Sequence, residues 1–172
     1  PGTDLATLLH AQEERGRVRR TQTAHYWEDT LDEDALGTPV PRDAEGAFRH
    51  AATETTLDEA EHRALLDLAA RARVTMSTVV QGAWAAVLAA RSGDRQTLFG
   101  LTLAGRDAAT DGLDDAVGML VNTVPRPVDV DPSAPVHSWL REVQRTGLEA
   151  AAHADVQLSA LERSVSRDVA RG

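Results

Sequence analysis

Apolar positions change period several times along the chain, and each change marks an element. Leu5, Leu8 and Leu9 open a helical register that continues poorly through the basic run Arg15, Arg17, Arg19 and Arg20. A second helical stretch carries Tyr26, Trp27 and Leu31, so helix is predicted over residues 3–35. Gly37, Pro39 and Pro41 end it and open a linker loop over 38–46. From Ala47 to Thr56 the period is two, with Phe48, His50, Ala52 and Glu54 alternating with Arg49, Ala51, Thr53 and Thr55. Threonine-rich alternation predicts a half-exposed strand.

Asp58 is placed to cap a helix, with Glu59 and Glu61 in the first turn where the dipole favours them. Its apolar stripe is Ala64, Leu65, Leu68, Ala69 and Ala72. Thr75 or Ser77 caps the next helix, which runs to about Ala90 and carries Val79, Val80, Ala83, Trp84, Val87 and Leu88. Gln81 is its one strongly polar residue, which predicts burial on more than one side. Gly82 costs such a helix about 1 kcal/mol against alanine, a reason to expect close approach of a neighbouring backbone. A turn at Ser92-Gly93-Asp94 leads to a near-continuous apolar strand, Thr97–Ala104, which Gly105 stops.

A polar loop spans Arg106–Asp115, and a second strand runs from about Met119 to Val130. Pro125 and Pro127 make that strand an edge or a bent one. After a turn at Asp131, Pro132 and Pro135, a helix carries Val136, Trp139, Leu140, Val143 and Leu148, and Ser159 caps a short last helix through Leu161. The predicted order is helix, strand, helix, helix, strand, strand, helix. That is an α/β or α+β layered sandwich, a mixed sheet covered by helices. Three strands are few for a complete sheet, so the chain reads as part of a larger unit.

Composition changes this picture mainly by exclusion. The 172 residues include 29 alanines and no lysine, isoleucine or cysteine; all 18 basic residues are arginine, and Asn122 is the one asparagine. The missing residue types with A/T-rich codons fit a G/C-rich coding sequence. Without lysine there is no Schiff-base chemistry, and without cysteine no thiol nucleophile or cysteine-based zinc site. A net charge of -9 argues against a nucleic-acid surface. No apolar stretch approaches the roughly 20 residues of a membrane span, and no signal segment opens the chain; a cytoplasmic protein is expected.

Individual motifs point to little chemistry. Gly100–Gly105 has the glycine spacing of a phosphate loop, but Arg106 and Asp107 stand where lysine and a hydroxyl are needed. The histidines at 10, 25, 50, 62, 137 and 153 include no i, i+4 pair, so no metal site is expected. The acidic clusters Glu28/Asp29/Asp32/Glu33/Asp34 and Asp111/Asp114/Asp115 lack calcium-loop spacing and read as solvated faces. The arginines at 15–20, offset by Glu13 and Glu14, read as a helix surface or an interdomain contact. Two residues stand out. Arg106 sits just past a strand end, where loops carry function. Asn122 lies inside the apolar strand Met119–Val124, where its amide either satisfies a loop backbone or lines a substrate channel.

The ordered set of segments resembles the condensation domain of nonribosomal peptide synthetases, in its C-terminal lobe. The matching pieces are His25-Tyr26-Trp27 with Leu31, Thr78–Leu88 around Trp84, Arg91-Ser92-Gly93, Phe99-Gly100 through Gly105-Arg106, and Val117–Pro125, continued by Trp139-Leu140 and Leu158-Ser159. The resemblance implies the C-terminal lobe of a chloramphenicol-acetyltransferase-like fold. Residues 1–172 are then a single partial domain, with 1–37 a helical lead-in from an absent N-terminal lobe. It also implies amide formation between donor and acceptor thioesters held on carrier proteins by 4'-phosphopantetheine, beside an adjacent adenylation domain, with no cofactor bound by the chain itself.

The family's catalytic histidine belongs to a His-His-x-x-x-Asp-Gly motif of the N-terminal lobe. Arg106–Gly112 has that frame without either histidine, so no catalytic residue carries over and the chain alone is expected to be inactive. Gly105 and Arg106 match the family's Ser-Gly-Arg-Pro loop, with Ala104 and Asp107 in place of serine and proline. Gly118–Thr123 match its Gly-x-x-x-Asn-Thr strand. The resemblance places Gly105, Arg106, Asn122 and Thr123 at the substrate channel or lobe interface. Epimerization, heterocyclization and ester-forming relatives share this lobe, and a non-catalytic docking or scaffold module is the remaining alternative.

Overall fold

The computed structural model describes residues 5–31, 52–105, 121–156 and 161. Its elements are α1 (Leu5–Thr30), α2 (Glu59–Ala72), α3 (Met76–Ser92), β1 (Gln96–Leu103), β2 (Asn122–Asp129) and α4 (Val136–Ala152). The mixed α and β content is as expected. The chain divides into two compact units, one of Pro1–Leu36, Leu98–Pro127 and Leu148–Gly172, the other of Gly37–Thr97 and Val128–Gly147. The divisions fall inside β1, β2 and α4.

In the first unit, α1 is one uninterrupted helix through the arginine run, with its last turn closed by Leu31 N–H donating to the Trp27 carbonyl at 2.9 Å. Thr23 and Trp27, one turn apart, are buried. Trp27 centres a core with Val124, Ala150 and Leu161, and Tyr26, Leu31, Leu101, Leu103, Ala154 and Val156 pack around it. The arginines are surface groups where described: Arg17 pairs with Glu14 at 3.1 Å, and Arg19 reaches the Ala152 carbonyl.

In the second unit the helix ends follow local chemistry. Asp58 and Glu61 form a reciprocal capping box, each side chain accepting the other's backbone N–H at 2.8 Å. Arg73, at φ 57°, closes α2 in the left-handed conformation, and Thr75 caps α3. Ala69 and Ala72 of α2, Val79 of α3 and Leu140 of α4 make the core. Gly82 is explained by packing, although against side chains and not backbone. A Cβ there would lie 2.9 Å from Leu140 Cδ2 and 3.3 Å from the Trp139 ring.

The two strands run antiparallel, since position 97 faces 128 and position 102 faces 123. Val130 N–H donates to the Arg95 carbonyl at 2.9 Å, which turns the N–H groups of even-numbered β2 residues toward β1. Positions 125 and 127 therefore point theirs away, where proline's missing donor is not needed. That is the edge placement the prolines predict.

Two expectations need correction. Residues 52–56 form no strand and are exposed; alternation without a paired neighbour leaves their threonines no face to bury. Among the described residues α3 is buried on one face, through Val79, Gly82, Ala85 and Leu88, while Val80, Trp84 and Val87 are exposed. In α4, whose position follows the sequence reading, Leu140, Val143 and Ala150 are buried while Val136 and Leu148 are exposed. The 38–46 linker, the strand residues 47–51, the loop from Arg106 to Asp115 and the cap at Ser159 lie outside the described residues; Leu161 is helical and buried.

Candidate functional site

Three of the four residues singled out from the sequence lie close together in the first unit. Gly105, at φ 67°, follows the end of β1, in a conformation that glycine adopts without strain. Asn122 opens β2, and the strand register sets it opposite Leu103. Thr123 shares a 3.2 Å hydrogen bond with Thr102, and a Cβ at Gly100 would sit 3.0 Å from the Thr123 methyl. Arg106 lies outside the described residues.

The Asn122 amide bonds backbone through both its nitrogen and its oxygen. Its Nδ2 donates to the carbonyls of Ala154 at 2.6 Å and Val156 at 3.0 Å, and its Oδ1 accepts from Thr123 N–H at 2.9 Å. Of the two readings of a buried amide in this strand, the geometry is that of a clamp on a loop backbone. The clamped loop follows α4, and α1 holds it too. Arg19 donates to the Ala152 carbonyl at 3.0 Å, and the Trp27 indole N–H to the His153 carbonyl at 3.0 Å. Positions 19, 23, 26 and 27 share one face of α1, as helical spacing requires.

A polar cluster gathers on this seam. The His153 ring stacks on Tyr26 at 4.2 Å with 13° between planes, and Tyr26 meets Trp27 edge-on at 4.9 Å. His153 Nδ1 and Thr23 Oγ1 are buried atoms with no hydrogen-bond partner, so neither reaches the other. Burial pushes the His153 imidazole down from its ordinary value; Arg19 adds to this, while Asp155 and Glu149 oppose it. Arg126 is fully buried in β2, and its Nη1 donates to the Pro127 carbonyl at 2.8 Å. Desolvation pushes its guanidinium down, partly offset by Tyr26, yet an arginine remains charged at neutral pH.

Sequence reasoning passed over Arg126 and gave His153 no role beyond a packed or solvated ring. The signal for Arg126 was present, since period two puts it on the same face as the buried Val124 and Val128. His153 offered no signal of its own, because its neighbours come from a helix more than a hundred residues away. Among the described residues no three His, Asp or Glu side chains gather as a metal would need, and no helix is long and apolar enough to cross a membrane.

Comparison with known proteins gives this arrangement a family. Chondramide synthase of Chondromyces crocatus is 36% identical over 146 residues, which is 83% of this chain and 4% of that protein. AM-toxin synthetase of Alternaria alternata is 34% identical over 137 residues, 77% of this chain and 3% of that protein. The chain thus spans a few per cent of these relatives. The first condensation domain of the calcium-dependent antibiotic synthetase, solved with a substrate analogue, shares the fold. Its TM-score is 0.75 at 18% identity over 96% of this chain and 38% of that one. The condensation domain of the Monacolin K polyketide synthase has a TM-score of 0.75 at 19% identity, over 96% of this chain and 40% of its own. The family model for the condensation domain matches residues 8–171, and the chain belongs to that family.

Proposed function

We propose that the chain is the C-terminal lobe of an amide-forming condensation domain in a nonribosomal peptide synthetase. The family match across residues 8–171 carries this reading. In the reaction an amine on the acceptor thioester attacks the donor carbonyl. The new C–N bond forms, the donor's C–S bond breaks, and the thiol of the donor carrier's 4'-phosphopantetheine arm leaves with a proton. The base that would take the amine proton is a histidine of the N-terminal lobe, absent from this sequence. Gly105, Arg106, Asn122 and Thr123 then belong to the channel wall or lobe interface. Asn122 contributes by holding the 154–156 backbone, since its amide is already engaged there.

The partners on this reading are the N-terminal lobe, donor and acceptor carrier proteins and an adjacent adenylation domain, in the cytoplasm. A synthetase with four domains is among the solved structures sharing the fold, with a TM-score of 0.71 over 86% of this chain. The test mixes the chain with a matching N-terminal lobe and two loaded carrier proteins and follows peptidyl thioester by mass spectrometry. Product with both lobes and none with this chain alone is expected. Turnover by this chain alone, or none by a folded complex of both lobes, overturns the proposal; donor inversion or ring closure instead assigns the chain to a relative.

A further inference from the structure

We propose that the segment from His153 to Val156 is an acid-released latch, with the His153 ring as its proton sensor. The latch stands on geometry and is independent of the acyl-transfer reading. Carbonyls 152, 153, 154 and 156 are each held by a side chain, from Arg19, Trp27 and, for the last two, Asn122. The ring of His153 is fixed on Tyr26, with Nδ1 buried and unpartnered. A second N–H on that ring would have no acceptor, and a buried donor left unmade is costly.

Charged groups act on the ring from α1, α4 and the segment itself. Arg19 of α1 opposes protonation, while Glu149 of α4 and Asp155 of the segment favour it. Tyr26 supplies the stacking face and interacts electrostatically with the buried cation Arg126 of β2. The balance leaves the ring below its ordinary value, with burial the largest cause. Opening returns the ring to water and to an ordinary value near pH 6.5. The closed latch is therefore at full strength above that pH and weakens as pH falls from it. Between the closed and open values, the open fraction rises up to about tenfold per pH unit.

Asn122 ties the latch to the candidate site, because the amide that opening releases also holds Thr123 N–H. Hydrogen exchange on the 172-residue chain provides the test. The amides of His153, Ala154 and Val156, bonded to the carbonyls of Ala150, Ala151 and Ala154, report the closed state. Corrected for intrinsic rates, their protection should fall as pH drops below about 6.5 while α2 amides stay flat. His153→Phe keeps the stack, removes the titrating nitrogen and should abolish the dependence. Should that variant fail to fold, NMR titration of the wild-type ring decides. A midpoint below the ordinary value supports the latch; one at or above it, or protection in the wild type that ignores pH, overturns it.

Discussion

The two units place their side-chain bonds differently. In the unit of Gly37–Thr97 and Val128–Gly147, the helix ends are set over three or four residues: Asp58 with Glu61, Thr75 with Thr78, Gly93 closing α3. Its long-range side-chain bonds are dispersed: Gln144 Oε1 accepts Thr75 N–H at 2.8 Å at an end that Thr75 already caps, while Arg95 and Thr97 bond the Val130 and Val128 carbonyls along the strand pair. In the other unit the decisive bonds run from side chain to backbone across 133, 126, 32 and 34 residues. Local caps decide where helices start and stop. Long-range side-chain bonds decide which backbone a helix or strand is fastened to, and here they converge on one short segment beside the candidate site.

Two tryptophans give the sharpest way to break this contrast. Trp27 is 1% exposed and bonded through its indole, whereas Trp84 is 48% exposed on α3. Trp27→Ala should cost about 3–5 kcal/mol, the range for emptying a buried aromatic site. Trp84→Ala should cost about 1 kcal/mol or less, as expected of a surface position. Urea unfolding of both variants checks this; equal losses would mean that the long-range seam holds nothing special.

Asn122 comes next. Asn122→Ala leaves the Ala154 and Val156 carbonyls without their donor, at a cost of about 2 kcal/mol. Asn122→Asp should cost more, because it turns a carboxylate oxygen toward those carbonyls. Exchange at Val156 should accelerate in both variants, ahead of any change in α2. Exchange rising equally everywhere would show that the amide supports the whole chain and not the latch.

The same contrast explains what was legible. The Asp58 cap, the Thr75 cap, the turn at Gly93 and the edge prolines were readable because each rule operates within a few residues or one strand period. The exposed face of α3 was not, since an alanine- and valine-rich helix has the same pattern whether neighbours cover one side or two. The strand over 47–56 failed at residues 52–56 because alternation describes a face without supplying the strand that pairs with it. At the site, Asn122 could be singled out as a polar residue in an apolar strand. Its partners at 154 and 156 could not, because backbone carbonyls have no sequence signature. Arg126 has the period of a buried position, but its charge gives no sequence signal of the burial that its fold supplies.

The smallest effect tests the local side of the comparison. Asp58 accepts Glu61 N–H, and Glu61 accepts Asp58 N–H in return. Asp58→Ala removes one bond and loosens the other, for a loss of about 1 kcal/mol. Because the box closes within three residues, its effect should stay in α2. Amides of the first turn should exchange about fivefold faster, as about 1 kcal/mol requires, while Ala154 and Val156 keep their protection. Asp58→Ser restores an acceptor and should recover most of the loss. If Asp58→Ala instead exposed the 153–156 segment, a local cap would govern a seam of the other unit, and the contrast between the two units would not hold.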